Sequence, residues 1–117
     1  MNEDETQKLV NIVQESLNND PKTIRLYMMS IREFPVKVIE VAKEYKVERL
    51  GIDQNQLSTL PAEICNFTHL RYLDISQNAF RSFPDALCLM PNLEILDVSK
   101  NKIRKLPKDF GNLMSLK

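Results

Sequence analysis

Three segments of this 117-residue chain lie over one another with a period of 23 residues and no gap. They share one skeleton: Leu50-x-Ile52-x-x-Asn55-x-Leu57-x-x-Leu60-Pro61, then Leu73-x-Ile75-x-x-Asn78-x-Phe80-x-x-Phe83-Pro84, then Leu96-x-Val98-x-x-Asn101-x-Ile103-x-x-Leu106-Pro107. A repeat of this length is one supersecondary unit that cannot bury its apolar face alone, so the units must stack into a solenoid with a continuous core. Most of the leucines, isoleucines, asparagines and prolines between Ile24 and Leu116 are thereby assigned to the scaffold, and function is left to the surface of the stack.

Within each unit a short run such as Arg49-Leu50-Gly51-Ile52-Asp53 alternates with period 2, the pattern of a strand with one buried face, and stacked units place these strands in a parallel sheet. Pro61, Pro84 and Pro107 fix φ where the chain turns to the opposite, convex side, outside the ladder, where a missing donor does no harm. Beyond them Ile64, Phe67 and Leu70, with Leu87, Met90 and Leu93 and then Phe110, Leu113 and Leu116, direct apolar groups inward from irregular or short helical segments.

The pattern L-x-x-L-x-L-x-x-N-x-L-x-x-L-P resembles the leucine-rich repeat over residues 24–116, and its 23-residue unit with Leu-Pro or Phe-Pro is similar to the intracellular Ras-group class that includes Scribble-type scaffolds. The resemblance implies an α/β solenoid: a fragment of a horseshoe with a short parallel β-sheet on its concave side. It also implies that Asn55, Asn78 and Asn101 point inward and bond the backbone of their own and neighbouring repeats. An amide in that role is structural, since its loss leaves peptide groups unpaired at ~1–3 kcal/mol each. For function the resemblance implies protein binding on the concave face, in a scaffold for a small GTPase or a phosphatase.

Upstream, Ile24-x-Leu26-x-x-Met29-x-Ile31-x-x-Phe34-Pro35 matches the skeleton at an offset of 26, with Met29 in the place of the asparagine. Terminal repeats are atypical because one neighbour is missing. The three extra residues between Pro35 and Leu50 predict a longer convex helix that carries Val38, Ile39 and Ala42 and runs through Tyr45. Before this unit, Glu3 to Asn19 reads as an amphipathic helix with Leu9, Ile12, Val13 and Leu17 on one stripe, acidic residues at its N-terminal dipole and Asn18-Asn19-Asp20-Pro21 ending it. Its stripe should cover the open side of the first strand. The expected organisation is an N-terminal capping helix in 1–20 and a repeat domain in 21–117, with a degenerate repeat 24–46, repeats 47–69, 70–92 and 93–115, and a truncated fifth from 116.

Lys and Arg balance Asp and Glu at 16 each, and this zero net charge argues against a nucleic-acid or anionic-membrane partner, both of which call for a basic stripe. There is no apolar run of membrane-spanning length, and the acidic start Met1-Asn2-Glu3-Asp4-Glu5 is the reverse of a signal peptide, so a cytoplasmic location is expected. The cysteines agree: Cys65 and Cys88 lie one repeat apart and read as reduced, small apolar residues of the convex side. The sequon Asn66-Phe67-Thr68 places Phe67 at a core position and is discounted.

Chemistry is nearly absent. There is no phosphate-binding glycine loop and no cluster at metal-ligand spacing, and His69 is the single imidazole, so no catalytic residues, metal or cofactor are expected. Asp74 and Asp97 occupy equivalent strand positions ~5 Å apart across the sheet, a spacing better explained by the repeat than by a catalytic pair.

The concave face remains. Strand alternation projects Thr23, Arg25 and Tyr27, then Arg49, Gly51 and Asp53, then Tyr72, Asp74 and Ser76, then Ile95, Asp97 and Ser99 into the hollow of the solenoid. Arginines lie toward its N-terminal end and aspartates beyond, and the contact residues predicted for a protein partner are Arg25, Tyr27, Arg49, Asp53, Tyr72, Asp74 and Asp97. These positions fall short of the ~20–30 residues a side of a standard interface. The last unit has no covering repeat or polar cap in the sequence, so self-association through an uncapped C-terminal end is a second expectation. Two function classes follow: a non-enzymatic interaction module with a concave-face partner, or a structural or regulatory segment of a longer repeat array with no ligand of its own.

Overall fold

The computed structural model describes residues 2–113 and 116. Four three-residue strands, β1 (Thr23–Arg25), β2 (Arg49–Gly51), β3 (Tyr72–Asp74) and β4 (Ile95–Asp97), form one parallel sheet in sequence order. Ile24, Leu50, Leu73 and Leu96 stand opposite one another in adjacent strands. The degenerate unit is therefore in register despite its 26-residue step. The core is the layer between this sheet and the convex side, where Leu26, Ile52, Ile75, Leu57, Phe80, Ile64 and Leu87 are all sealed from solvent.

The convex side holds the helix α2 (Val36–Ala42) in the first unit and 3-10 turns at Ala62–Asn66, Asp85–Leu89 and Lys108–Asn112 in the others. Each begins directly after a proline, Pro35, Pro61, Pro84 or Pro107, whose φ lies between −64° and −69°. The ring holds the angle that the first helical turn requires, and its missing donor falls where a helix has no acceptor to offer.

The longer unit does not extend its helix through Tyr45. After Ala42 the chain tightens: the Lys43 N–H donates to Glu40 O (3.4 Å) and the Tyr45 N–H to Ala42 O (3.0 Å). Val47 must then reach the core, where it is buried, and the Glu48 N–H must meet Lys22 O (2.8 Å) at the sheet. A straight continuation would carry the backbone away from both.

The first strand is covered by α1 (Glu3–Asn19). Asn2 caps this helix by accepting from the Glu5 N–H (2.9 Å), and Glu3, Asp4 and Glu5 face the positive end of its dipole. The stripe it buries is Leu9, Val10, Val13 and Leu17, whereas Ile12 is 40% exposed. At ~100° per residue the four buried side chains span one arc of about 100°, and Ile12 falls some 60° outside it. Val10 therefore takes the place expected for Ile12. The helix lies against both β1 and α2, and the Ser16 hydroxyl ties it to Thr23 O (3.1 Å).

The chain leaves each strand through a left-handed residue: Met28, Gln54, Gln77 and Lys100 have φ between 54° and 56°, and none is glycine. An asparagine follows Gln54, Gln77 and Lys100 and explains how the conformation is held there, while Met29 takes that place in the first unit. Asn55 donates to the carbonyls of Leu26 (2.7 Å), Ile52 (3.1 Å) and Asp53 (3.1 Å), and its Oδ1 accepts from Met29 (3.0 Å) and Ile31 (3.1 Å). Asn78 repeats the pattern with Ile52, Ile75 and Ser76 as acceptors and Leu57 as donor. Asn101 does so with Ile75, Val98 and Ser99, and with Phe80 as donor. Each asparagine thus clamps its own turn to the preceding repeat. Met29, which has no earlier turn to clamp, is 41% exposed.

In the last unit Leu96, Val98, Ile103 and Phe110 are half-buried and Leu106 is 56% exposed. The expected fifth strand opening at Leu116-Lys117 falls partly outside the described residues. Leu116 itself makes the turn bond to Leu113 O (3.3 Å) that Leu70 and Leu93 make to Phe67 and Met90.

Candidate concave-face site

The strand register lays the concave side chains out in rows. Thr23, Arg49, Tyr72 and Ile95 form the first, and Arg25, Gly51, Asp74 and Asp97 the second. Tyr27, Asp53, Ser76 and Ser99 follow two positions further along. In the second row a guanidinium and a carboxylate flank a residue without a side chain. Over Gly51 opens a hollow of about 310 Å3, lined by Arg25, Arg49, Asp53, Tyr72 and Asp74 with the start of β1.

Arg25 leans across this hollow. Its guanidinium sits 4.7 Å from the centre of the Tyr27 ring, a cation–π contact, and 3.8 Å from Asp53 Oδ2. Asp53, expected among the exposed contact residues, is instead 4% exposed beneath Arg25. Its Oδ2 accepts from the Gln54 side-chain amide (3.0 Å), while its Oδ1 is buried with no hydrogen-bond partner among the described residues. Alternation correctly pointed this side chain to the concave side, but depth within that side depends on what the neighbouring strand lays over it.

Asp74 and Asp97 face one another across β3 and β4, and each is tied to its own turn. Asp74 Oδ1 accepts from the Ser76 N–H (2.9 Å), and Asp97 Oδ1 from the Ser99 hydroxyl (2.6 Å) and N–H (3.0 Å). The Ser99 hydroxyl first, then the Ser99 N–H, holds the Asp97 carboxyl below its ordinary range. Burial pushes the Tyr72 phenol up, and the nearby Asp74 and Asp97 charges push it the same way. Arg25 opposes those two charges at Tyr72, whereas Ile95, at the end of the first row, is 52% exposed.

Along the strand entrances runs a second set of charges that the sequence reading did not single out. Lys22 pairs with Glu48 (3.4 Å), Glu48 with Arg71 (3.9 Å), and Arg71 with Glu94. The four occupy equivalent positions in successive units and alternate in sign, a signal visible once the repeats are aligned. Exposed pairs of this kind contribute little each.

Among the described residues no group of three or more His, Cys, Asp or Glu side chains stands close enough to hold a metal ion, and no helix is long and apolar enough to cross a membrane. Cys65 and Cys88 are free. Burial pushes the Cys88 thiol up, which makes it a poor nucleophile.

The leucine rich repeat family model matches residues 45–103. No curated protein matches the chain. Among solved structures, a leucine-rich repeat protein of Leptospira interrogans superposes with a TM-score of 0.74 at 27% identity, over 82% of this chain and 24% of its own length. TLR13, solved in complex with ssRNA13, superposes with a TM-score of 0.70 at 27% identity, over 82% of this chain and 14% of its own. The chain thus spans less than a quarter of either solved chain.

Proposed function

The chain belongs to the leucine-rich repeat family, and from that premise we propose that it is a non-enzymatic protein-interaction module whose concave face, centred on β1 to β3, receives a protein partner. The observation that carries this reading is the Gly51 hollow with its facing Arg25, Tyr72 and Asp74, where shape and charge converge on the concave side. Repeat folds host many functions, so the site rather than the fold bears the argument. The 23-residue unit with its Leu-Pro or Phe-Pro step supports a scaffold role in small-GTPase or phosphatase signalling, and the free cysteines support a cytoplasmic setting. Zero net charge favours a protein over a nucleic acid as partner.

The test is capture of a cellular partner by the chain and by a folded Arg49→Glu/Asp74→Arg variant. Capture lost on charge reversal supports the concave face as the binding surface. Equal capture by both chains overturns it and favours a segment that docks by another surface. A second mode, self-association along β4, is favoured by the exposure of Ile95 and Leu106 at that edge, and sedimentation showing a monomer at all concentrations would contradict it.

A further inference from the structure

We propose that the hollow over Gly51 receives a basic side chain, arginine or lysine, presented by the protein partner. The inference rests on the concave-face reading above and adds the chemistry of what enters.

Gly51 is not required by the backbone. Its φ is not in the left-handed region, and a Cβ built there would meet Arg25 Cγ at 3.5 Å, Asp53 Oδ1 at 3.6 Å and Arg25 Cδ at 3.9 Å, all ordinary contacts. A larger residue would fit with a small movement of the flexible Arg25 stem. What the glycine provides is space. It is the vacant position in a row where every other strand carries a long or charged side chain.

The floor of that space is an unmet acceptor. The Asp53 side chain is 6% exposed and its Oδ1 has no donor. A buried carboxylate oxygen in this state is rare and costly. Because Oδ1 lies 3.6 Å from the position of a Gly51 Cβ, a donor that enters above Gly51 reaches it once the Arg25 stem, whose Cγ and Cδ lie 3.5 and 3.9 Å from the same position, moves aside.

The walls select the sign of the charge. Asp74, in register with Gly51 on β3, spends one oxygen on the Ser76 N–H, and Asp97 follows on β4. Tyr72 supplies an aromatic ring in the same hollow. The resident cation, Arg25, leans across the hollow toward Tyr27 and Asp53, but its side chain is 60% exposed, so it can swing away from the opening. An incoming anion could meet Arg25 and Arg49, but it would leave Asp53 Oδ1 without a donor and stand against Asp53 and Asp74. An ammonium or guanidinium meets the orphan oxygen, a second carboxylate and a ring face together.

The experiment is a titration of the isotopically labelled full chain, followed by NMR, with N-acetyl-arginine amide, N-acetyl-citrulline amide and N-acetyl-glutamate amide as probes. The arginine probe should shift the Gly51 amide and the Asp53 and Asp74 carboxyl carbons saturably, with the isosteric but uncharged citrulline at least about tenfold weaker. Gly51→Val should abolish the response by filling the space. Arg25→Ala should strengthen it several-fold by removing the resident cation, which keeps the inference testable if the valine variant folds poorly. Equal response to arginine and citrulline, preference for the glutamate probe, or no shift at Gly51 overturns it. Should the arginine response be absent while charge reversal at Arg49 and Asp74 still abolishes partner capture, this inference fails and the concave-face reading stands. Should charge reversal leave capture unchanged, that reading fails on its own assay.

Discussion

The first and last units of the stack are written in the same pattern and buried differently. Ile24 and Leu26 are sealed completely, because α1 lays Leu9, Val10, Val13 and Leu17 against the outer side of β1 and β2 closes the other. Their counterparts Leu96 and Val98 are half-buried. Leu60 is half-buried in the middle of the stack, and its counterpart Leu106 is 56% exposed. Residue type is nearly constant along the chain, so the difference teaches that burial in this fold is conferred by the neighbouring unit, as expected of a quasi-one-dimensional array. The candidate site sits on the doubly supported part, between β1 and β3, where the floor of the hollow is held from both sides.

The contrast can be broken most severely in the core. Leu73→Ala should cost ~2–5 kcal/mol in urea denaturation, as for a fully enclosed leucine, and Leu96→Ala less than about half of that, because its surroundings are already open to water. Equal losses would mean that the two ends are equally packed.

Next in size are the asparagine clamps. Asn78→Ala should cost ~2–4 kcal/mol, since it strands several peptide groups at ~1 kcal/mol or more each. Asn101→Ala should cost less, because part of its bonding network is already exposed.

A smaller effect is expected at the left-handed turns. Gln77 holds φ at 54°, so Gln77→Val should destabilise by ~1–2 kcal/mol while Gln77→Gly is neutral or stabilising. The subtlest comparison is in acid. The Asp97 carboxyl is held below its ordinary 3.8, chiefly by Ser99. Its contribution is therefore complete above that value and is lost as pH falls through the lowered one. Ser99→Ala should flatten the acid limb of a melting-temperature profile, and an unchanged limb would contradict the assignment.

Much of this was legible in the sequence. The period set the strand register, including the 26-residue step that brings Ile24 opposite Leu50, and the prolines marked every start on the convex side. The bounds of α1 were readable from its acidic first turn, its stripe and the stop at Asn18-Asn19-Asp20-Pro21. What escaped were features decided by contacts between units. Ile12 lost its place to Val10 because the groove between β1 and α2 fixes the rotation of α1, and Tyr45 left the helix because Val47 has to reach the core. Asp53 is deep because Arg25, a full repeat earlier, folds over it. The left-handed turns at Gln54, Gln77 and Lys100 carry no glycine to announce them. At the candidate site, strand alternation named the concave charges, but the vacancy at Gly51 acquires meaning only when the row is assembled.

Amide hydrogen exchange along the four strands tests the central claim that each unit is protected by its neighbour. The Leu26, Ile52 and Ile75 N–H groups donate to Gly51, Asp74 and Asp97 on the following strand at 2.8–2.9 Å. For the equivalent Val98, no following strand is present among the described residues. Exchange should be slow at Leu26, Ile52 and Ile75 and fastest at Val98, in a graded loss of protection toward β4. Protection at Val98 equal to that at Ile52 would contradict the account.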